Sequence, residues 1–283
     1  MSARHWSRRS FSKLALSAAS LPLFPGLVAA ASVEEPPDLA AGVAAGDVPP
    51  LASRLPVNPR MVDMAPLHKA EGRYGGVLRI IMADDKDIRM MTVYSYARLV
   101  VFDPDLNLVP DILEDFDVEE GRVFTLHLRK GHKWSDGEPF TTEDFRYCWE
   151  DVSLNRKLSR GGPSQQMLVE GKPPAFEVLD EATVRYSWEK PNPLFLPSLA
   201  GGSPNYIFMP SHYLKQFHEK YADPEKLAGL IASHRMRDWV ALHTVMSRQY
   251  RPENPDLPTL EPWRNTTPPP AERFVFRRNP YFH

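Results

Sequence analysis

The residues able to do chemistry in this 283-residue chain are scattered rather than grouped. His212 and His218 stand six apart, roughly 240° around a helix of 3.6 residues per turn, so one helix cannot offer both to a metal. The acids at Asp84-Asp85, Glu114-Asp115 and Glu119-Glu120 are adjacent pairs. Their side chains diverge, and each pair reads as a solvated loop or element end. A single cysteine, Cys148, permits neither an internal disulfide nor a cysteine-based zinc cluster. No G-x-S-x-G elbow, no H-E-x-x-H and no Gly-rich phosphate loop ahead of a helix is present. Gly161-Gly162-Pro163 lacks a third glycine and a preceding strand, and reads as a loop. Asn265-Thr266-Thr267 has the form of a glycosylation acceptor, which the bacterial type of export signal at the N-terminus argues against. An enzyme built from this sequence has no recognisable nucleophile, metal or cofactor site. The missing motifs do not exclude an enzyme whose catalytic groups come together only in the fold.

The elements that must position these residues are readable in stretches. Apolar residues make up 42% of the chain and charged ones 25%, which excludes wholesale disorder. A net charge of −2 argues against a nucleic-acid partner, which needs a basic field. Met1 to about Ala31 reads as a signal peptide. Arg4, Arg8, Arg9 and Lys13 precede an apolar stretch that ends in Val28-Ala29-Ala30-Ala31, a small-residue cleavage site. Ser7-Arg8-Arg9-Ser10-Phe11-Ser12-Lys13 resembles the twin-arginine export motif, departing from it at Ser12. Pro22 and Pro25 interrupt the apolar stretch, against a membrane anchor. No cysteine follows it for a lipid, so the expected location is the periplasm. Residues 32–72, rich in Ala, Gly and Pro, predict a flexible lead-in to a domain over residues 73–283.

Within that domain, Val77-Leu78-Arg79-Ile80-Ile81-Met82 predicts a strand buried on both faces. Val123 to Arg129 alternates, with Phe124, Leu126 and Leu128 on one face. Asp136-Gly137 supplies a turn. Thr141 then reads as an N-cap with Asp144 three residues on, and Phe140 and Phe145 can form a hydrophobic staple. Phe145, Cys148, Trp149 and Val152 follow as one apolar helix face, which places Cys148 in the core. Thr183 to Trp188 alternates again. Helices are expected from Ser211, from Asp223-Pro224 and around Trp239, Leu242 and Met246, with irregular chain over Arg251–Pro270 and a last strand through Phe274-Val275-Phe276. Strands and helices mix without a βαβ period, so the class is mixed α/β or α+β.

The run Phe124-Thr125-Leu126-His127-Leu128-Arg129-Lys130-Gly131-His132-Lys133-Trp134-Ser135-Asp136-Gly137-Glu138-Pro139-Phe140-Thr141-Thr142-Glu143-Asp144-Phe145 closely resembles the signature of family 5 extracellular solute-binding proteins, the binding components of peptide and nickel ABC importers. Gly75-Gly76-Val77-Leu78-Arg79 is similar to that family's opening strand, Val109 to Glu114 to the segment before its signature, and Arg278-Asn279-Pro280-Tyr281-Phe282 to its pre-hinge motif. The resemblance implies a periplasmic-binding-protein type II clamshell, of which this chain carries the first lobe, incomplete at the C-terminus, with the second lobe missing. It implies capture of a peptide or similar small solute for an ABC importer permease, by a monomer that is not an enzyme. It also implies that Met82, Ala83, Asp84 and Asp85 line the cleft and pair with an extended ligand, and that Gly162, Pro163 and Ser164 approach it. Arg89, Met90, Met91 and Tyr94 match no pattern. The alternatives are a secreted hydrolase whose site forms only in the fold, which a pocket gathering histidines and acids would favour, and a truncated remnant without function.

Overall fold

A computed structural model describes residues 33–283. The expected export signal, up to about Ala31, lies outside the described residues. The chain divides into two units, Met1–Glu34 and Glu35–His283, and every element described below lies in the second.

At the centre lies a four-stranded antiparallel sheet of β3 (Leu113–Glu119), β4 (Val123–Leu128), β5 (Ala175–Asp180) and β6 (Thr183–Ser187), in the order β3-β4-β6-β5. The predicted alternation is realised in register. Phe124 stands opposite Tyr186 and Leu126 opposite Val184, all four nearly solvent-free, while Thr125 pairs Arg185 across the other face. Before the sheet come β1 (Val100–Phe102) and β2 (Leu108–Pro110), an antiparallel pair whose end feeds β3.

The helix after the Asp136-Gly137 turn forms as its cap predicts. In α4 (Thr142–Arg146) the Thr141 hydroxyl accepts from the Glu143 amide at 3.3 Å, and Asp144 Oδ2 accepts from the Thr141 amide at 3.1 Å, closing a capping box. Phe140 and Phe145 meet at 5.6 Å between ring centroids. One feature was not legible: from Tyr147 to Ser153 the helix widens into a π-helix. The widening buries residues on two faces. Phe145 and Trp149 pack on the sheet together with Phe195 and Leu199 of α5 (Phe195–Ala200). Tyr147 enters a second apolar cluster, with Leu214 of α6 (Ser211–Leu214), Leu227 of α7 (Pro224–Ser233) and Leu242 and Met246 of α8 (Trp239–Met246). The widened helix is therefore a spine shared by two cores, each fully buried Phe or Leu side chain contributing ~1.5–3 kcal/mol. Cys148 is buried on it as expected, and burial pushes its thiol pKa up to about 12. Asp223 caps α7 through the Glu225 and Lys226 amides, with Pro224 first in the helix.

Three expectations are corrected. Val77–Met82 forms no strand: Val77 is 74% exposed, Leu78 79% and Ile81 100%. A strand is held by ladder partners, and among the described residues none pairs with this run. The lead-in is not uniformly irregular, since it contains α1 (Pro37–Ala45) and α2 (Leu51–Arg54). Arg54, 1% exposed, donates to the carbonyls of Pro49 and Pro280 and pairs with Glu35. Val57 donates its amide to the Lys130 carbonyl, and Arg129 donates to the Asn58 carbonyl at 2.7 Å. The ties to Pro280, Lys130 and Arg129 span more than seventy residues, so no local period announces them. The last strand is shifted: β7 (Trp263–Asn265) pairs with β8 (Phe276–Arg278), while Val275 continues the contact irregularly through Thr266 and Thr267.

Candidate functional site

Asp84 acts first on its own chain. Its carboxylate accepts from the Lys86 amide at 3.1 Å and caps a 3₁₀ turn over Asp85–Met90. That hydrogen bond, followed by the Lys86 side chain, holds its pKa below the usual carboxylate range. Met82, Ala83, Asp84 and Asp85 are all exposed. The 3₁₀ turn runs into α3 (Met91–Ser95), which stops at Tyr96, in the left-handed region with φ +45°. Met90, Val93, Tyr94 and Tyr96 are exposed along this segment, so an apolar and aromatic surface adjoins the two carboxylates.

Two side chains fix where this surface sits. The Tyr96 hydroxyl donates to the Ala200 carbonyl at 2.8 Å. Arg98, 2% exposed, donates to the carbonyls of Thr92, Ala97, Gly201 and Gly202 and to Glu261 Oε1 at 3.1 Å. Burial raises the Glu261 pKa to about 7 against the opposing pull of Arg98, and its Oε2 finds no hydrogen-bond partner.

The other expected segment is tied to the fold at Asn205. Gly162, at φ +80°, turns the loop, a conformation other residues resist. Ser164 starts a 3₁₀ turn over Gln165–Met167, and its hydroxyl donates to Asn205 Oδ1 at 2.9 Å. The Asn205 backbone N–H in turn donates to the Ser198 carbonyl at 2.8 Å. Residues 198–205 thus anchor the end of α3, through Tyr96 and Arg98, and the Gly162–Ser164 loop, through Asn205. No direct hydrogen bond joins the two segments among the described residues. Tyr96, Arg98 and the Gly201-Gly202 turn were not singled out from sequence. Their only signal is a glycine pair after a short helix.

The first segment offers carboxylates and aromatic faces, and the second offers loop backbone. The hydrolase alternative required histidines and acids sharing a pocket. The structure does gather His218, His243, Tyr147 and Asp151, with the Tyr147 hydroxyl 2.7 Å from His243 Nε2. All are buried inside the second core. The Asp151 carboxylate is taken up by Arg146, Lys220 and Tyr221, and burial lowers the His243 pKa to about 3. His212, as its spacing required, goes elsewhere and meets Asp136 at 2.8 Å. Among the described residues, no group of three or more His, Cys, Asp or Glu is placed to hold a metal.

The family profile described as bacterial extracellular solute-binding proteins, family 5 Middle, matches residues 107–283. The periplasmic alpha-galactoside-binding protein of Rhizobium meliloti is 28% identical over 261 residues, covering 85% of this chain and 35% of that protein. The periplasmic oligopeptide-binding protein OppA of Escherichia coli is 30% identical over 160 residues, covering 52% of this chain and 29% of that protein. A solved oligopeptide-binding protein OppA superposes with a TM-score of 0.78 at 32% identity, over 89% of this chain and 38% of its own. MelB of Agrobacterium fabrum, solved with stachyose, gives 0.67 at 26% identity, over 89% and 38%. The chain spans about a third of the length of the curated relatives it matches. It belongs to the bacterial extracellular solute-binding proteins of family 5.

Proposed function

We propose that this chain serves in the periplasm as the solute-capturing part of an ABC importer, taking peptides or similar small solutes and passing them to a membrane permease. The observation that carries the reading is the match of residues 107–283 to a family of binding proteins, together with relatives named for solute binding. Exposed Asp84 and Asp85 suit a ligand amine, and the surface over Met90–Tyr96 suits apolar side chains. A clamshell gains affinity by closing a second lobe over such a surface.

An oligosaccharide is the second solute class. It is favoured by the alpha-galactoside-binding relative, the stachyose-bound MelB structure and the two exposed tyrosines, whose rings can stack on sugar faces. Native mass spectrometry of the chain, recovered by osmotic shock from a producing bacterium, tests both location and ligand. Recovery in the shock fluid with a bound mass that fragments as a peptide supports the proposal. A bound hexose series selects the second class, and retention in the spheroplasts refutes the periplasmic assignment.

A further inference from the structure

A cavity of about 90 Å³, partly open to solvent, lies beside Ser164, walled by Trp149, Met167, Tyr206 and Ile207 and edged by Cys148, Ser153, Ser164, Tyr186 and Asn205. Tyr186, from the central strand β6, is fully buried, and its hydroxyl has no hydrogen-bond partner within the protein. The Asn205 amide is in the same position. Its Oδ1 accepts from Ser164, while its buried Nδ2 has no partner. The Ser164 hydroxyl can serve either end of that amide, so one end is left over whichever way it is turned.

A buried hydroxyl or amide without a partner is strongly unfavourable, and the protein leaves two of them around one small space. A water needs roughly 10–15 Å³ of such space and two to four polar partners. Both conditions are met here, with room for more than one molecule. Burial keeps the Tyr186 hydroxyl protonated, because it raises its pKa well above the ordinary tyrosine value. The phenol is therefore available both to donate and to accept. A larger ligand does not fit this volume, and an ion would lack a compensating charge, since the polar groups edging the space are hydroxyls, an amide and a protonated thiol.

We propose that this cavity is an internal water site, in which ordered water bridges Tyr186 Oη to Asn205 Nδ2. The bridge ties the buried sheet to the run 198–205, and through Ser164 to the loop over residues 162–164. It thereby stiffens the back of the candidate site without touching a solute.

The sign of one substitution decides the matter. If the cavity were dry, Tyr186→Phe would remove an unsatisfied hydroxyl and raise the melting temperature. If water bridges the two groups, the same change breaks the bridge and strands the Asn205 amide, lowering the melting temperature by ~2–4 °C. A crystal structure of the full chain supplies the second readout. Density within hydrogen-bonding distance of both Tyr186 Oη and Asn205 Nδ2 is expected, and absent from the phenylalanine variant. A raised melting temperature, or a wild-type cavity without density, overturns the proposal.

Discussion

Glu261 gives this protein an unusual dependence of stability on pH. Its carboxyl is buried, bonded on one oxygen to Arg98 and without a partner on the other, and burial raises its pKa from an ordinary 4.5 to about 7. At low pH both folded and unfolded chains carry the proton and nothing is lost. As pH rises, the unfolded chain ionises first and is favoured, so stability falls from about pH 4.5 until the folded group ionises near pH 7. Each unit of separation is worth ~1.4 kcal/mol, so the full loss is ~3 kcal/mol, most of it between about pH 5 and pH 8. Glu261→Gln keeps the acceptor for Arg98 and removes the titration. Urea denaturation of both proteins across that range is the assay, because their difference cancels every other titrating group. The variant should gain ~2–3 kcal/mol on the wild type as pH is raised from about 5 to about 8. Parallel curves would show that Glu261 titrates as an ordinary carboxyl and would refute this reasoning.

Other consequences follow from the same packing. His243, with its pKa lowered to about 3 by burial, works in the opposite sense. Its stabilisation is present above the ordinary value of 6.5 and is lost as pH falls toward 3, so His243→Gln should flatten the acid limb of a melting-temperature profile. The Asp144 carboxylate accepts from Thr141 N, Trp134 Nε1, Ser211 N and Ser211 Oγ, so Asp144→Ala strands several buried donors at ~1–3 kcal/mol each. Thr141→Ala should cost only ~1 kcal/mol, and equal urea midpoints for these two variants would refute the hub. Gly137→Val meets a backbone φ of +93° and would place a Cβ 2.8 Å from the Tyr281 hydroxyl. A loss of ~2 kcal/mol or more is expected, and an unchanged melting temperature would remove the turn argument. Cys148 should resist iodoacetamide in native buffer and react fully in denaturant, as intact mass will show.

The sequence is most legible where short-range chemistry sets the structure. The Thr141–Asp144 box, the Phe140–Phe145 staple and the alternation of Phe124, Leu126 and Leu128 depend on neighbours a few residues away, and all are found. It is opaque where the determinant is distant. Nothing in the neighbouring sequence marks Arg98, whose partners at Gly201, Gly202 and Glu261 lie more than a hundred residues on. Arg54 and the helices of the lead-in are held in the same way. Val77–Met82 shows the converse: local composition favours a strand, but composition supplies no partner. The candidate site is divided likewise. Met82–Asp85 and Gly162–Ser164 are expected from family resemblance, whereas the run 198–205 that holds Tyr96 and Ser164 emerges only from tertiary hydrogen bonds.

Solute capture is tested most directly by isothermal titration calorimetry of the purified full chain against a pool of short peptides and, separately, against stachyose. Circular dichroism at the same concentration verifies that the chain is folded. Saturable heat with the peptide pool, weakened when Asp84 and Asp85 are both replaced by asparagine, is the expected result. A folded chain that gives no saturable heat with either solute class contradicts the proposed role in solute capture.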